Sequence, residues 1–382
     1  MSGYDVIVAG LGAMGGAAAS VLARRGRRVL GLDRFAPPHR EGSSSGRTRI
    51  IREAYFEHPA YVPIVQRAYE AWAALERDSG RTLFRQTGGL MIGPPDGVLV
   101  GGALRSAREH ALRHEIVPSE DLARRWPALR PDVGVVGVWE PRAGVLFPEE
   151  CVAAHLELAA RTGAELRTGE PVLSWEADGE GVAVRTSRET YRAERLVLAP
   201  GAWLMRLLPD LSLPLTVRRQ LAFWFEPIAT GAFAPERLPV FIWEHEPRRY
   251  FYGFPDFGDG VKVARHGEGE IVEAEHAHRA VARGEEEDLR LQLARYLPAA
   301  CGPLRETAVC LYTCTPDGHF IVDSHPAHPQ VTIASVCSGH GFKFASAMGE
   351  ILADLATGER PRFDLSMFRI ARFAAGRSKT GG

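Results

Sequence analysis

A glycine-rich turn near the start of the chain constrains the fold more than any other feature. Residues 5–9, which are apolar after Asp5, predict a buried strand, and Gly10-Leu-Gly12-Ala-Met-Gly15 follows directly. A helical pattern then extends over residues 13–25. In such a turn the first glycine permits the tight bend, the second lets the backbone approach a pyrophosphate, and the third lets the helix pack on the strand. The pattern therefore predicts a dinucleotide-binding β–α–β unit.

Asp33 agrees with this interpretation. A second strand over residues 28–32 ends at Asp33, which stands 23 residues after Gly10. A carboxylate at this spacing accepts hydrogen bonds from the ribose hydroxyls of an adenosine. The alternative is a glycine-rich turn in an ordinary α/β protein.

The composition excludes several classes of partner. The chain has 382 residues, enough for two domains, with 45% hydrophobic residues and a net charge of -1. A nearly neutral chain does not favour nucleic acid or an anionic membrane as partner, and no apolar run reaches the roughly 18 residues of a membrane span. The five cysteines are scattered without a C-x-x-C pair, so we expect a cytoplasmic protein without a disulfide framework or a metal site.

Two groups of basic residues are candidates for chemistry. Residues 47–55 have the pattern of a short helix, in which Arg49 and Arg52 would share a face and need an anionic or electron-rich neighbour. In the strand pattern of residues 261–266, alternation places Lys262 and His266 on the face opposite the valines. The alternatives are a solvated basic face and a solvent-facing strand, respectively.

The second half of the chain is rich in strand patterns. Residues 217–263 carry many aromatic residues and predict an antiparallel sheet that walls a pocket, although most of these aromatics would be ordinary core. Cys310 lies on a short predicted strand, where a buried core cysteine is the alternative. A strand over 331–336 leads into Ser338-Gly-His-Gly-Phe-Lys343 and a helix, whose N-terminus could face an anion or a flavin ring.

Together these motifs resemble the monomeric sarcosine oxidase family and its relatives, N-methyltryptophan oxidase and pipecolate oxidase. The matching stretches occur in the family's order, almost from end to end: Gly10-Leu-Gly-Ala-Met-Gly-Gly16 with Asp33, Arg47-Thr-Arg-Ile-Ile-Arg52, Tyr252-Gly-Phe-Pro255, Cys310-Leu-Tyr-Thr313 and Ser338-Gly-His-Gly-Phe-Lys343. The resemblance implies an α/β protein with a glutathione-reductase-like, FAD-binding Rossmann domain (1–85, 145–215 and 305–382). It also implies an α+β substrate domain built on an antiparallel sheet (86–144 and 216–304).

The resemblance also implies roles for individual residues. It places Arg49 beside the flavin ring, Arg52 and Lys343 on the substrate carboxylate, and Lys262 where oxygen is activated, and it makes Cys310 the covalent attachment point of FAD. His266 and Tyr312 join the predicted catalytic residues, and Tyr252 and Trp243 the predicted substrate contacts. The remaining predicted cofactor contacts are Gly10, Gly12, Gly15, Asp33, Ser43, Ser44, Val172, Gly339 and Gly341.

Two departures from the family pattern concern the pocket. The family often has a histidine two or three residues before the glycine at the place of Gly46, whereas this chain has Ser43, Ser44 and Ser45 there. Trp243 is bulkier than a cavity for sarcosine would need, and it is expected to affect substrate size.

The predicted function is a flavin-dependent oxidase of secondary (N-methyl) amino acids such as sarcosine. The imine formed would hydrolyse to an aldehyde and an amine, and O₂ would be reduced to H₂O₂ by a cytoplasmic monomer. One alternative is a D-amino-acid oxidase, glycine oxidase or amine dehydrogenase of the same FAD-dependent fold. Another is a dinucleotide-binding redox sensor, which leaves the basic residues at 49, 52, 262 and 343 unexplained.

Overall fold

Residues 3–373 are described by a computed structural model, in which strands and helices alternate along the chain. The strands are β1 (Tyr4–Ala9), β2 (Val29–Leu32), β3 (Arg49–Ile51), β4 (Phe84–Gln86), β5 (Gly89–Gly93), β6 (Glu115–Pro118), β7 (Val136–Glu140), β8 (Gly144–Leu146), β9 (Glu165–Arg167), β10 (Val172–Asp178), β11 (Gly181–Thr186), β12 (Thr190–Leu198), β13 (Thr216–Phe225), β14 (Val240–Glu246), β15 (Arg249–Gly253), β16 (Val261–His266), β17 (Glu270–Ile271), β18 (Leu304–Cys314), β19 (Ile321–Ser324) and β20 (Val331–Ser335). The α-helices are α1 (Ala13–Arg24), α2 (Val62–Ser79), α3 (Val98–Glu109), α4 (Ser119–Arg125), α5 (Pro148–Arg161), α6 (Glu287–Tyr296) and α7 (Ala345–Thr357).

The first sheet has a parallel centre and contains the glycine-rich turn. Strands β9, β2, β1, β12 and β20 run parallel in that order, while β10, β11 and β19 add antiparallel neighbours. Helix α1 is buried along almost its whole length between α5 and α7. Its run of alanine and glycine permits this close packing, since a Cβ on Gly349 of α7 would lie 2.8 Å from Ala17.

The second sheet is almost entirely antiparallel. Its strands follow the order β17, β13, β16, β15, β14, β5, β7 and β6, with β18 also paired to β13, and only β14 and β5 run parallel. Helix α6 covers one face of this sheet through Leu289, Leu293 and Tyr296. A small third sheet of β3, β8 and β4 stands apart from the two large ones.

The predicted fold class is confirmed, and some local predictions are wrong. A parallel sheet flanked by helices accompanies a second, antiparallel sheet. Residues 47–55 do not form a helix, because residues 49–51 pair with β8 as a strand. The division into two domains stays a prediction; β18, most of which we placed in the first domain, joins the second sheet. Within residues 3–373, no helix is long and apolar enough to cross a membrane.

Candidate active site

A large cavity lies between the carboxyl ends of the parallel strands and one face of the second sheet. It encloses about 2000 Å³ of space, including its open mouth. The turns after β1, β2, β12 and β20 line it from one side, and side chains of β14, β15, β16 and β18 line it from the other. Carboxyl ends of parallel strands are the usual ligand site of such sheets.

The glycine-rich turn has the geometry that its sequence predicts. Gly10 has φ 93, and a Cβ there would lie 2.5 Å from the Ala199 carbonyl oxygen. A Cβ on Gly15 would lie 1.7 Å from the carbonyl oxygen of Gly10, so any side chain would push α1 away from the turn. Gly10 and Gly12 line the cavity, whereas Gly15 acts through packing.

The first turn of α1 and Asp33 border the same end of the cavity. Asp33 is buried at the end of β2 and accepts hydrogen bonds from the backbone N–H groups of Leu11 (2.7 Å) and Phe35 (2.8 Å). Ser44 Oγ accepts a hydrogen bond from the Ala13 N–H (3.2 Å), which joins the serine loop to the start of α1. Asp33 and Ser44 line the cavity, as do Ser43 and Val172.

The irregular segment 272–285, which we call the strap, crosses to this end of the cavity. Its Glu275 bonds the guanidinium of Arg34 (2.9 Å) and also that of Arg206. Arg34 and Arg206 both line the cavity, and Arg34 packs on the rings of Phe35 and Trp203. The strap is therefore tied to two arginines at the end of the cavity at which Asp33 lies.

Arg49 lines the cavity beyond the glycine turn, and Cys310 lies behind it. The Arg49 guanidinium lines the cavity and donates hydrogen bonds to the carbonyl oxygens of Thr48 and Ser43, both at 2.8 Å, and of Ser45. Its Nη2 lies 3.6 Å from the Cys310 sulfur, which is buried behind it. The residue predicted to lie beside the flavin ring and the residue predicted to attach it are therefore in contact.

Lys262 stands one layer behind the cavity wall. Its ammonium donates hydrogen bonds to the carbonyl oxygens of Gly46 (2.6 Å) and Thr48 (3.0 Å) and to the Thr48 hydroxyl (3.2 Å). Burial, followed by the charge of Arg49, lowers the pKa of Lys262 well below its usual value. The three acceptors oppose this shift, because they favour the protonated form, and they place the amine next to the turn that carries Arg49.

Arg52 already holds a carboxylate. Its side chain is only 2% exposed, and its Nη2 donates to both carboxylate oxygens of Glu57, at 2.9 and 2.7 Å. Burial alone would raise the pKa of Glu57, but Arg52, His340 and Lys343 outweigh burial and lower it to about 2. Glu57 is therefore an anion at neutral pH, and Arg52 is a cation whose partner lies within the cavity.

Lys343 is the second buried basic residue of the part of the cavity that contains Arg52. Its ammonium donates hydrogen bonds to the carbonyl oxygen of His340 (2.6 Å) and to the hydroxyl of Tyr55 (3.3 Å). Burial, with Arg52 as the next cause, lowers the pKa of Lys343 to about 7. Proton transfer to or from this amine is thus possible near neutrality.

The aromatic wall of the cavity is formed by Tyr252, Phe254, His266 and Tyr312. The hydroxyls of Tyr252 and Tyr312 lie 3.3 Å apart, and His266 packs edge-on against Tyr252. Trp243 was predicted to contact substrate, and this placement is wrong. Its ring packs on Phe251 and Tyr296 beneath α6, on the other face of the sheet.

Several lining residues were missed by the sequence prediction. Ile242, beside Trp243, takes the inward position, and Phe56, Glu57, His340 and Phe342 also line the cavity. Glu57 carried a signal, because it is an acidic residue five positions after a predicted functional arginine. Gly339 and Gly341 line the cavity as predicted residues of the loop after β20.

The residues present fit a flavin adenine dinucleotide. One end of the cavity combines a buried carboxylate, aromatic rings and arginines; the middle has a glycine turn without side chains at a helix N-terminus. This order suits an adenosine, then a pyrophosphate. Beyond it lie Arg49, Cys310 and the aromatic wall, which suit a flat ring carrying partial negative charge.

Comparisons with known proteins agree with this arrangement. The family described as FAD dependent oxidoreductase matches residues 5–355. A monomeric sarcosine oxidase of Streptomyces avermitilis is 45% identical over 377 residues, covering 97% of this chain and 98% of the relative. An N-methyl-L-tryptophan oxidase of Salmonella newport is 36% identical over 375 residues, covering 97% and 99%.

Among solved structures, NikD is described as an unusual amino acid oxidase essential for nikkomycin biosynthesis. It superposes with a TM-score of 0.84 at 27% identity, covering 97% of this chain and 98% of that one. An L-proline dehydrogenase of P. horikoshii has a TM-score of 0.85 at 21% identity over 98% of this chain and 99% of its own, a likeness that shows the fold alone.

Proposed function

This chain belongs to the FAD-dependent oxidoreductase family, among the relatives of monomeric sarcosine oxidase, and we propose that it oxidises secondary (N-methyl) amino acids with O₂ as the electron acceptor. The observation that carries the proposal is the pair of buried cations, Arg52 and Lys343, in the same cavity as the flavin-compatible wall. The pairing of Arg52 with the carboxylate of Glu57 supports the proposal, because it places a carboxylate on this guanidinium within the cavity.

The substrate carboxylate would bind to Arg52 and Lys343. Charge-assisted hydrogen bonds of this kind are stronger than neutral ones. Because Arg52 is engaged by Glu57, the incoming carboxylate would replace Glu57 or share the guanidinium with it. Lys343, with a pKa of about 7, would gain a proton when the anion binds.

With its carboxylate fixed at two points, the substrate would be oriented before reaction. The N–CH group would then lie toward the aromatic wall of Tyr252, His266 and Tyr312. Positioning of this kind converts an encounter into an effectively unimolecular step. Burial of these rings would also keep bulk water from the reacting carbon.

FAD, when bound, would supply the redox chemistry by accepting two electrons from the substrate and passing them to O₂. Asp33 would hold the ribose, and the turn from Gly10 to Gly12 with the start of α1 would hold the pyrophosphate. Arg49 would stabilise negative charge at the ring, and the ammonium of Lys262 would add a second positive charge behind it. The products would be an imine, which water hydrolyses to aldehyde and amine, and H₂O₂.

Three finer features belong to the same proposal. Cys310 would attach the cofactor covalently, supported by its position beside Arg49. The protein would act as a monomer, a proposal supported by its Streptomyces avermitilis relative, whose name describes that relative as monomeric. It would act in the cytoplasm, which suits five free cysteines.

The proposal is tested with purified holoprotein and a peroxide-coupled screen of sarcosine, N-methyl-L-tryptophan, L-pipecolate, L-proline and glycine. We expect H₂O₂ from at least one secondary amino acid and much less from glycine. Peroxide from glycine alone would identify a primary-amine oxidase instead. Anaerobic bleaching of the flavin without peroxide in air would identify a dehydrogenase.

A further inference from the structure

The turn that carries the substrate-site residues has no regular secondary structure of its own. Residues 52–58 connect β3 to the helical segment that starts at Pro59, and they include Arg52, Tyr55, Phe56 and Glu57. All four of these side chains are buried or line the cavity. Loop residues hold a binding geometry only if other parts of the structure fix their backbone.

Glu140 fixes the start of this turn. It is the last residue of β7 and is 1% exposed. One carboxylate oxygen accepts the backbone N–H of Glu53 at 2.6 Å, and the other accepts that of Ala54 at 2.8 Å. Each oxygen of one carboxylate thus holds one of the two residues that follow Arg52.

Further contacts tie the turn to its surroundings. The Ser106 hydroxyl of α3 donates to the Tyr55 carbonyl oxygen. A Cβ on Gly102 of the same helix would lie 2.3 Å from the Phe56 carbonyl oxygen, so α3 lies directly against the turn. Arg52 itself donates to the Ala54 carbonyl oxygen at 2.9 Å. Ala54 therefore links Glu140, through its N–H, to the guanidinium, through its carbonyl oxygen.

We propose that Glu140 is the positioning residue of the substrate-carboxylate site, holding Arg52 in place through the backbone of Glu53 and Ala54. The inference rests on the proposed function, since it takes Arg52 as the group that binds the substrate anion. Glu140 itself contacts the turn and is not among the residues that line the cavity.

The charge of Glu140 and its positioning role have opposite expected effects on carboxylate binding. The ionisable groups that act on it are Arg52, Glu53 and Tyr69, while Arg142 pairs with Glu53. Burial raises the pKa of Glu140 to about 7, so the group is an anion well above neutrality. An anion near Arg52 disfavours a second anion there. Electrostatics alone therefore predicts that neutralising Glu140 tightens carboxylate binding, whereas loss of positioning weakens it.

The test is Glu140→Gln in the holoprotein at pH 8.5, with methoxyacetate as an inert, carboxylate-bearing probe followed through the flavin absorbance. The amide retains one acceptor but presents N–H₂ to the other backbone donor, so one of the two hydrogen bonds is lost. We expect the Kd of methoxyacetate to rise on the order of tenfold, with a smaller change in the limiting rate of anaerobic flavin reduction. Unchanged or tighter binding would overturn the inference.

Glu244→Gln is the matched control. Glu244 is also a buried carboxylate of the second sheet, and it accepts two backbone N–H groups, from Leu99 (2.9 Å) and Arg248 (3.0 Å). Both variants should lose thermal stability, but only the change at Glu140 should weaken probe binding. Equal weakening in the two would assign the effect to general destabilisation and reject the positioning role.

Two further comparisons complete the design. If Glu140→Gln does not fold, Glu140→Asp keeps the charge but is one methylene too short to reach both donors, and it should also weaken probe binding. Binding by Glu140→Asp equal to that of the unaltered protein would reject the inference. In the unaltered protein, methoxyacetamide should bind far more weakly than methoxyacetate; equal binding would overturn the proposed carboxylate site itself, separately from the role of Glu140.

Discussion

Replacing Lys343 by methionine should weaken substrate binding and remove the part of its pH dependence above neutrality that Lys343 causes. Methionine keeps an unbranched apolar stem and deletes the ammonium. Lys343 as a whole residue is 6% exposed. Loss of one charge-assisted hydrogen bond costs about 1.5–3 kcal/mol, which corresponds to roughly a 10- to 150-fold rise in Kd. This rise is the expected ratio of the Kd of the variant to that of the unaltered protein below pH 7.

The pH dependence follows from the pKa of Lys343, which burial, followed by Arg52, lowers from 10.5 to about 7. Only the protonated amine attracts a carboxylate. Above pH 7 the Kd for the unaltered protein should rise by up to about tenfold per pH unit, until the pKa of the complex is reached. The unfolded chain binds the extra proton throughout the window from about 7 to 10.5, so this group also makes stability rise with pH there. Lys343→Met should lack both effects.

The assay is a titration of both proteins with methoxyacetate between pH 6 and 9, followed by flavin absorbance. Glu140 also titrates near pH 7, but it is present in both proteins, so the ratio of their Kd values reports Lys343. A ratio close to one at pH 6.5 would show that the ammonium of Lys343 does not bind the carboxylate. A ratio that does not shrink as the pH rises would show that Lys343 does not lose its proton in this range.

Three further predictions concern residues in or directly behind the cavity wall. Cys310→Ala should yield protein whose flavin is released by acid, while that of the unaltered protein stays with the precipitate; acid-stable flavin in the variant would place the attachment elsewhere. Lys262→Met should slow reoxidation of the reduced flavin by O₂ at least about 10²-fold, equivalent to roughly 2.7 kcal/mol, with little change in anaerobic reduction. Stopped-flow measurement of the two half-reactions decides this, and reoxidation at the original rate would exclude Lys262 as the oxygen site. Glu57→Gln should lower the Kd of methoxyacetate by about tenfold, because the internal competitor for Arg52 loses its charge. An unchanged or higher Kd in the same titration would show that Glu57 does not compete with the probe for Arg52.

The parts of the site that could be predicted depend on short-range constraints. Gly15 must lack a side chain because of the carbonyl of Gly10, five residues earlier, and Gly10 must adopt a positive φ. Asp33 likewise bonds the N–H of Leu11 in the adjoining turn. A pattern of a few residues records such constraints, so the sequence alone indicates the nucleotide-binding end.

The errors arose where distant residues decide the structure. Arg49–Ile51 is a strand because it pairs with Gly144–Leu146, far along the chain. Its three residues leave no periodicity to detect, so the basic pattern around them resembled a helix. Strand alternation at Ile242 and Trp243 is visible in the sequence, but the packing of Tyr296 from α6 decides which of the two faces the cavity.

The strap over segment 272–285 has a consequence for how the two large sheets can move relative to each other. It is anchored by the buried Arg219, which bonds Glu285 (2.6 Å) and the carbonyl oxygens of His278 (3.0 Å) and Ala280 (2.5 Å). Its Glu275 bonds Arg34 and Arg206, which both line the cavity. The strap therefore joins the second sheet, through Arg219, to two arginines that follow strands of the first sheet. Relative movement of the two sheets at this edge would have to break either the bonds of Arg219 or the ion pairs of Glu275.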